Sequence, residues 1–411
     1  MKTIVQKFGG SSLATAELRE LAATRVLEAR SRGIAPVVVC SAMGRSPDPY
    51  ATDALLELLG HDAAAQNRDL LLACGETIAC AVFAQLLIAR GADALALTGA
   101  QAGIVTDAEF GNAAILRVEP VAVRAVLARG AVPVVAGFQG ATEAGNVTTL
   151  GRGGSDLSAL ALGAALKADV VEVFTDVNGV MSGDPRRIAD AHPLHRVHYA
   201  EMVELAADGA KVMHTKAAEL ARVTSTPYVV KGLQANFGTT IDESPAIPGE
   251  APVAGIASVD GLALFRLAAE NDTRGAANVE RAVFRRLTER GVSIDMVNLN
   301  AAGIFFVVAV RNVSAVRAEL DALAIGCSVR EDCAKLSIVG AGMRGAPGVV
   351  ALIVDVLADA GIDILHTTDS NITISVLVAA GDASRAERAV HDAFALGRKD
   401  ARVPAAVGQT Q

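Results

Sequence analysis

The sequence predicts an α/β fold with a mostly parallel sheet covered by helices on both faces, followed by two small α+β modules. Over the first 238 residues, short apolar runs alternate with helical patterns, as in parallel strands joined by crossover helices. Polar turns follow several of these strands. Beyond a Gly/Pro-rich link at residues 238–252, the chain repeats itself at an offset of 70 residues.

Composition narrows the class of protein. The 411 residues are enough for two or three domains. Hydrophobic residues make up 52% and aromatic residues 3%, with no Trp, so the core must consist of Ala, Val, Leu and Ile. The net charge of −8 with no basic block argues against a nucleic-acid partner. No apolar run reaches the roughly 18–20 residues of a membrane span, so no membrane partner is expected.

The N-terminus and the cysteines indicate a cytoplasmic location. The chain passes directly from Met1 and Lys2 into a predicted strand, without a signal peptide. The five cysteines are scattered and show no CxxC spacing, which predicts small buried side chains in a reducing compartment.

The first strand, residues 3–8, ends in two glycines and two serines, and a helical pattern follows. Strand, glycines and hydroxyls in this order can direct backbone N–H groups at a phosphate, and Lys7 would add a positive charge. The spacing is not that of a Walker A loop. The alternative is an ordinary strand-to-helix turn.

The second strand, residues 36–40, ends in Ser41-Ala42-Met43-Gly44, and a loop with two prolines follows. Thr52 and Asp53 begin another helix. Glu76 comes after Gly75 and before a strongly apolar helix at residues 78–89. Two interpretations of Glu76 stay open: a buried carboxylate that needs a partner or ligand, or a first-turn acid of that helix.

A glycine-rich turn at residues 148–156 lies between an apolar run, 132–138, and a helix, 157–166. Its glycines permit positive φ or close approach of a ligand, and Arg152 suits a carboxylate or phosphate. Asp156 either caps the helix or points into a site. A further strand, 170–174, ends in Thr175 and Asp176, and residues 229–231 form the last strand before the link.

These polar turns are expected to converge. The carboxyl ends of parallel strands share one edge of a sheet, where ligands bind. Turns at Lys7, Ser41, Arg152 and Thr175 therefore predict one site for two anionic groups, one of them a nucleotide.

The chain resembles the monofunctional bacterial aspartate kinases over nearly its whole length, because the family's motifs occur in the family's order. These motifs are Lys7-Phe8-Gly9-Gly10-Ser11-Ser12, Ser41-Ala42-Met43-Gly44, Gly75-Glu76, residues 151–156, residues 175–179, Asp184-Pro185-Arg186 and Gly209-Ala210-Lys211. The terminal modules resemble paired ACT domains, most notably at residues 337–343. The first module and residues 366–378 are most similar to the diaminopimelate-sensitive subgroup.

The resemblance implies an amino-acid-kinase-type fold, in which residues 1–238 form the catalytic domain and residues 239–252 a linker. Residues 253–330 and 331–411 form the two ACT modules. It also implies phosphorylation of the β-carboxylate of L-aspartate by ATP, with Mg²⁺ on ATP oxygens and waters rather than in a protein site.

The resemblance assigns roles to individual residues. Lys7, Arg152 and Asp156 are the implied catalytic residues. The implied substrate contacts are Ser41, Thr52, Glu76, Arg152, Gly153, Gly154 and Ser155. The implied nucleotide contacts are Lys7, Phe8, Gly9, Gly10, Ser11, Thr175, Asp176, Met181, Arg186, Lys211 and Val212. Met181 stands where the family usually has Tyr beside the adenine.

Feedback regulation and a homodimer through the ACT modules are further implications. The implied effector is an amino acid, namely lysine, threonine or meso-diaminopimelate, with Asn271, Gly275, Asp295 and Asn298 as its expected contacts. Two rivals remain. A sibling kinase would act on glutamate, uridylate or carbamate, which the Glu76 and Arg152 pair and the ACT tail disfavour. A non-catalytic amino-acid sensor would be expected to lack Lys7, Arg152 or Asp156, and all three are present.

Overall fold

The computed structural model describes residues 2–60, 62–210, 212–243, 253–268, 276–300, 303–343 and 346–397. The chain divides into two compact units. The first unit comprises Met1–Val180, Pro193–Ala207 and Lys211–Pro245. The second comprises Met181–His192, Asp208–Ala210 and Ala246–Gln411.

The first unit is an α/β structure, as predicted. Its elements are β1 (Thr3–Phe8), α1 (Gly10–Leu13), α2 (Ala16–Ser31), β2 (Ala35–Cys40), α3 (Thr52–Leu56), α4 (Ala65–Ala89), β3 (Ala94–Leu97), β4 (Ile104–Thr106), β5 (Ile115–Val118), α5 (Val121–Ala128), β6 (Val132–Ala136), β7 (Gln139–Thr142), β8 (Val147–Thr149), α6 (Gly154–Leu166), β9 (Val170–Thr175), β10 (Arg196–His198), α7 (Tyr199–Ala207), α8 (Thr215–Thr224), β11 (Tyr228–Gly232) and β12 (Thr239–Asp242).

The main sheet has the strand order β10-β12-β11-β9-β1-β2-β6-β3. Its pairs are parallel except for β11 with β12. β2 and β6 are continuous apolar runs because both faces of the sheet are covered, and all of their residues are buried. Phe8 stacks on Phe174 across neighbouring strands, with ring centroids 4.8 Å apart. The carboxyl ends of β9, β1 and β2 therefore lie side by side.

A second sheet of four short strands, in the order β5-β4-β7-β8, was not predicted. It separates β6 from the glycine-rich turn, so that turn follows β8 rather than a strand of the parallel sheet. The prediction that residues 132–138 lead directly into the turn was wrong. The strands have only three or four residues each, and three of them contain Thr, so they are too short to show an apolar periodicity.

Helix α4 is a single 25-residue helix, and Glu76 lies in its interior. The interpretation of Glu76 as a first-turn acid was therefore wrong. Among the described helices, α4 alone is long and apolar enough to cross a membrane, judged by length and composition. The expectation that no stretch of the chain reaches the length of a membrane span was therefore wrong. Half of its most apolar window is buried. Phe83 and Leu87 pack there into the core with residues of α2 and the main sheet.

The second unit contains the repeat that the sequence predicted. Its elements are β13 (Gly255–Ala268), α9 (Ala276–Glu289), β14 (Asp295–Asn300), β15 (Gly303–Ala309), α10 (Val313–Ala322), β16 (Cys327–Val339), α11 (Val349–Asp359), β17 (His366–Asp369), β18 (Thr373–Ala379) and α12 (Ala383–Ala393). Each copy runs strand, helix, strand, strand, helix. The copies share one antiparallel sheet in the order β14-β15-β13-β16-β18-β17, in which β13 pairs with β16 at the centre.

Two segments from the predicted catalytic domain, residues 1–238, belong to the second unit, which the sequence did not predict. In residues 181–192, Ser182 Oγ lies 3.0 Å from Nε2 of the fully buried His391 on α12. From the same segment, Arg187 Nη1 donates to Glu387 Oε1 at 2.6 Å. In residues 208–210, Asp208 pairs with Lys335 of β16.

Smaller corrections concern the link and the cysteines. β11 was expected to be the last strand before the link, but β12 follows it and pairs with it. All five cysteines are free, as expected, yet Cys74 is exposed and Cys327 is half-buried. Cys74 lies on the outer face of α4, which the continuous apolar pattern of that helix did not reveal.

Candidate active site

A cavity of about 590 Å³ opens at the carboxyl ends of β1, β2 and β9. Most of the predicted site residues lie together there: Lys7, Gly9, Gly10, Ser11, Ser41, Thr52, Glu76, Arg152, Gly153, Gly154, Ser155, Asp156 and Thr175. Other lining residues were not predicted as contacts: Ala42, Gly44, Arg45, Leu56, Arg68, Leu72, Gly111, Phe138, Thr149 and Gly151. The four polar turns thus form one site, although only three of them follow strands of the main sheet.

Lys7 and Asp156 form an ion pair in this cavity. Lys7 is the penultimate residue of β1, and Asp156 lies in the first turn of α6. Nζ and Oδ1 are 2.6 Å apart, and the two side chains are 10% and 14% exposed. The helix N-cap is Gly153, which has no side-chain cap, so the alternative of Asp156 as the cap was wrong. The carboxylate instead holds a cationic group at the end of the sheet.

The turn that carries Arg152 depends on its glycines. Gly151 and Gly153 have φ of +75° and +70°, values that favour glycine. A Cβ at Gly153 would also lie 2.2 Å from Cβ of His214. Arg152 between them is exposed and lines the cavity. Within the described ranges it has no ion-pair partner, so its guanidinium is available to a ligand carboxylate or phosphate.

Glu76 presents a buried carboxylate to the cavity. The residue is 3% exposed, and its Oε1 accepts a hydrogen bond from the Ala42 backbone N–H at 3.1 Å. Its Oε2 is buried and has no hydrogen-bond partner among the described residues. Burial raises the pKa of this carboxyl to about 8. A ligand cation would supply the missing partner and favour the ionised form.

The backbone around Gly10 is closely packed. A Cβ at Gly10 would lie 2.7 Å from the carbonyl oxygens of both Ala42 and Gly44. The Gly44 N–H donates to the Gly10 carbonyl at 3.1 Å. The turn after β1 is therefore held against the turn after β2. Glycine is required at this position to bring the two turns together.

Asp69 fixes the outer wall of the cavity. This fully buried residue of α4 accepts hydrogen bonds from the N–H of Gly111 at 2.8 Å, and from the N–H and the hydroxyl of Thr149 at 2.7 and 3.0 Å. Gly111 and Thr149 both line the cavity. Neither Asp69 nor its neighbour Arg68 was predicted as a site residue. Their signal was an Arg-Asp pair seven or eight residues before Glu76, at helical spacing.

Several predicted nucleotide contacts lie elsewhere. The Phe8 side chain is fully buried and packs on Phe83 and Phe174, so it cannot contact a ligand. Asp176 does not line the cavity and instead pairs with Arg45, with Nη2 to Oδ2 at 3.0 Å. Val212 precedes α8 and is half-buried. Lys211 lies outside the described residues.

Other predicted contacts fall in the second unit. Met181 and Arg186 belong to it, and the Arg186 guanidinium pairs with Asp184. Of the predicted effector contacts, Asn271 and Gly275 lie outside the described residues. Asp295 pairs with Lys335. Asn298 is exposed, and its side-chain oxygen accepts a hydrogen bond from Asn300 at 3.0 Å.

The chain is similar to known proteins over nearly its whole length. It matches the amino acid kinase family over residues 2–232, more than half of its length, and the ACT domain over residues 328–392. It is 43% identical to aspartokinase 1 of Bacillus subtilis over 407 residues, covering 97% of this chain and 100% of that protein. This chain belongs to the aspartokinase family.

Other aspartokinases agree with this assignment. The Corynebacterium glutamicum aspartokinase is 39% identical over 422 residues, covering 98% of each chain. Among solved structures, E. coli aspartokinase III in complex with aspartate and ADP superposes with a TM-score of 0.77 over 95% of this chain and 99% of that one. The two chains are 23% identical, so this similarity is evidence for the fold alone. The aspartate kinase of Synechocystis is 34% identical with a TM-score of 0.53, covering 95% of this chain and 69% of that one.

Proposed function

We propose that this protein transfers the γ-phosphoryl group of ATP to the β-carboxylate of L-aspartate and forms 4-phospho-L-aspartate. The observation that carries the proposal is one cavity holding a paired lysine, a free guanidinium and a buried carboxylate, at Lys7, Arg152 and Glu76. Aspartate carries two carboxylates and one ammonium group, and these three protein groups match it in charge. The reaction is the first step of the lysine, threonine and methionine pathway.

The reaction needs positioning and charge stabilisation more than acid–base chemistry. A β-carboxylate oxygen of aspartate attacks the γ-phosphorus and forms the new P–O bond. The bond from the γ-phosphorus to the bridging oxygen breaks, and its electron pair leaves with ADP. Lys7 stabilises the negative charge on the transferring group, and Asp156 keeps the Lys7 ammonium in place. No general base is needed because the attacking carboxylate is already ionised.

Arg152 and Glu76 select the amino acid. The Arg152 guanidinium binds the α-carboxylate with two parallel hydrogen bonds. Glu76 Oε2 accepts a hydrogen bond from the ammonium group, which satisfies its buried oxygen. Hydroxyls of Ser41, Thr52 and Ser155 and the backbone of Gly153 and Gly154 complete the contacts. Glutamate is longer by one methylene group, so its γ-carboxylate would not reach the same position when its α-amino acid end is bound.

The nucleotide is assigned to the part of the cavity that is lined by the turns after β1 and β9. Gly9, Gly10, Ser11 and Thr175, at the ends of β1 and β9, would contact its phosphates. The assignments of Phe8, Asp176, Met181, Arg186, Lys211 and Val212 rest on the sequence motifs. For Phe8 only the backbone is available, since its side chain is buried.

The lining residues fit Mg²⁺ held by the nucleotide. The described lining carboxylates are Glu76 and Asp156, of which one has a raised pKa and the other is paired with Lys7. They form no cage of oxygen ligands. Mg²⁺ bound to phosphate oxygens and waters would neutralise charge on the nucleotide, and Ser and Thr hydroxyls lie nearby to orient its waters.

We infer that the second unit is regulatory. Its paired α+β copies and the ACT match at residues 328–392 support binding of an amino-acid effector, namely lysine, threonine or meso-diaminopimelate. Asn271, Gly275, Asp295 and Asn298 are the proposed contacts. A homodimer through the ACT modules and a cytoplasmic location complete the proposal. If none of the three amino acids, alone or in pairs, changes the rate or substrate affinity, the regulatory part is wrong.

A hydroxamate assay tests the catalytic proposal. The enzyme is incubated with Mg-ATP, hydroxylamine and either L-aspartate or L-glutamate, alongside Lys7→Ala and Arg152→Ala. We expect acyl phosphate from aspartate only, and its loss in both variants. Activity on glutamate alone would keep the fold and overturn the substrate. Bound ATP without activity on either amino acid would favour the sensor.

A further inference from the structure

Arg68 is a cationic group in the cavity to which neither the sequence motifs nor the proposed reaction assigns a role. Its side chain lines the cavity that contains Lys7, Glu76 and Arg152. The residue is half-buried and lies in the first turn of α4. No described residue accepts a hydrogen bond from its guanidinium or forms an ion pair with it.

The position of Arg68 on α4 directs it into the site. Arg68, Leu72 and Glu76 are spaced four residues apart, so they lie on one face of the helix, and all three line the cavity. Asp69 is rotated away from this face and bonds to Gly111 and Thr149. The face therefore presents a guanidinium, an apolar side chain and a carboxylate in order along the cavity wall.

Arg68 is also close to the turn that carries Arg152. A Cβ at Gly111 would lie 2.8 Å from Nη2 of Arg68. A Cβ at Gly151 would lie 3.2 Å from the carbonyl oxygen of Gly111. Gly111 thus contacts both the guanidinium of Arg68 and the residue before Arg152. Arg68 is thus linked through Gly111 to the turn that carries Arg152, the residue proposed to bind the amino acid.

Helix stability does not account for an arginine at this position. The first turn of a helix favours acidic side chains, because its N–H groups carry partial positive charge. α4 has no acidic residue in that turn, and Arg68 adds a like charge to it. Both the N–H groups and the guanidinium would be stabilised by an anion in the cavity.

We propose that Arg68 is a specificity-determining residue that binds the α-carboxylate of the amino-acid substrate together with Arg152. The proposal rests on the proposed aspartate kinase function and adds a second guanidinium to its substrate site. Two guanidinium groups that bind the same carboxylate allow the site to distinguish the α-carboxylate of aspartate from its β-carboxylate. The α-carboxylate is held between Arg68 and Arg152, and the β-carboxylate is left to face Lys7. Arg68 therefore contributes to choosing which carboxylate is phosphorylated.

The test compares the full-length enzyme with Arg68→Gln and Arg68→Lys in steady-state assays of ADP release. Arg32→Gln, an exposed arginine outside the cavity, is the matched control. Each is assayed with L-aspartate and with L-isoasparagine, whose α-carboxylate is a neutral amide and whose β-carboxylate is free. Thermal unfolding of each variant reports on folding.

We expect Arg68→Gln to raise KM for aspartate on the order of tenfold, the effect of one charge-assisted hydrogen bond. KM for ATP should stay within about twofold of the control, and the melting temperature within a few degrees of it. Arg68→Lys should recover part of the affinity, because lysine keeps the positive charge but cannot donate two parallel hydrogen bonds as a guanidinium does. With isoasparagine, Arg68→Gln should change KM little, because the group that it binds is absent.

Three outcomes would overturn the inference. An unchanged KM for aspartate, an increase confined to ATP, or an equal loss with both amino-acid substrates would each show that Arg68 does not bind the α-carboxylate. Failure of the proposed function is separate from these outcomes. In that case the wild-type enzyme itself would form no acyl phosphate from aspartate.

Discussion

Lys7 Nζ lies 2.6 Å from Asp156 Oδ1 and joins the end of the central strand β1 to the first turn of α6. Both side chains are largely buried at the cavity, so solvent weakens their interaction little. The pair holds one cation where the turns after β1 and β8 meet. Its removal is therefore expected to affect the chemical step more than substrate binding.

For the Lys7 and Asp156 pair, we predict non-additive losses of kcat. Lys7→Met removes the charge that stabilises the transferring phosphoryl group and should lower kcat by roughly 100- to 1000-fold. Asp156→Asn should cost less, because the lysine remains. The double variant should resemble Lys7→Met alone, because Asp156 acts through Lys7. Losses that multiply in the double variant would mean that Asp156 contacts the reacting groups independently.

For Glu76, we predict that aspartate binding improves as pH rises. Burial raises the pKa of its carboxyl to about 8, so at pH 6 the group is protonated in the free enzyme and cannot attract an ammonium group. KM for aspartate should fall roughly 10- to 100-fold from pH 6 to pH 8.5 as the carboxylate forms. Glu76→Gln should have a high KM that does not vary over this range. A wild-type KM as flat as that of the variant would contradict this role.

The same raised pKa affects stability. Its contribution to the free energy of unfolding is fully present below the unfolded-state pKa of 4.5 and is lost as pH rises through about 8. Without substrate, the wild type should lose stability relative to Glu76→Gln over this window. Urea unfolding at pH 5 and pH 8.5 measures the difference, which should be several kcal/mol at most.

For Gly153, we predict that a single methyl group displaces Arg152. Gly153→Ala combines a φ of +70° with a Cβ only 2.2 Å from Cβ of His214. Gly145→Ala is the matched control, since its φ is +84° but a Cβ there meets nothing within 4 Å. The control should cost about 1 to 2 kcal/mol of backbone strain and keep its KM for aspartate. Gly153→Ala should lose more stability and raise that KM at least about tenfold. Equal behaviour of the two variants would remove the steric argument.

In the second unit, we predict that Lys335 is required for folding stability. The residue is 6% exposed and pairs with Asp208 at 2.7 Å and with Asp295. Burial opposes its charge, but the hydrogen bonds to Asp208 and Asp295 raise its pKa. Lys335→Met leaves Asp208 buried without a cation and should cost about 3 kcal/mol. Urea unfolding and hydrogen exchange across β16 measure this cost.

Asp295→Asn is the control for Lys335. The Asp295 side chain is 48% exposed. When Asp295 is neutralised, Lys335 still forms its ion pair with Asp208. This change should cost less than about 1 kcal/mol. If Lys335→Met is as mild as Asp295→Asn, the buried pair with Asp208 is not a significant source of stability.

The sequence predicted the central strands and the polar turns because those signals are local. β1, β2 and β9 are apolar-rich runs that end at glycine or hydroxyl residues, and the structure contains them within one or two residues of the predicted bounds. The repeat in the second unit was also visible, because each copy keeps the same amphipathic spacing. By contrast, β4 and β8 have three residues each and depend on pairing with neighbouring strands, β4 with β5 and β7, and β8 with β7.

The site was harder to predict where tertiary packing determines the role of a residue. Gly75 lies inside α4, and a Cβ there would lie 3.0 Å from the Ala42 side chain. The glycine therefore allows α4 to pack closely against the turn after β2. A single arginine on a helix usually faces solvent, so the Arg-Asp pair before Glu76 did not by itself mark Arg68 as a site residue. The fold was needed to show which face of α4 lines the cavity.

In the proposed reaction, the β-carboxylate of aspartate attacks the γ-phosphorus of ATP. The most direct test of this step uses L-aspartate labelled with oxygen-18 in the β-carboxylate, with hydroxylamine to trap the product. Hydroxylamine attacks the acyl carbon, so the released phosphate keeps the oxygen that formed the P–O bond. We predict phosphate that carries one oxygen-18 atom by mass spectrometry. Aspartate-dependent phosphate without the label, or no aspartyl hydroxamate, would contradict the account.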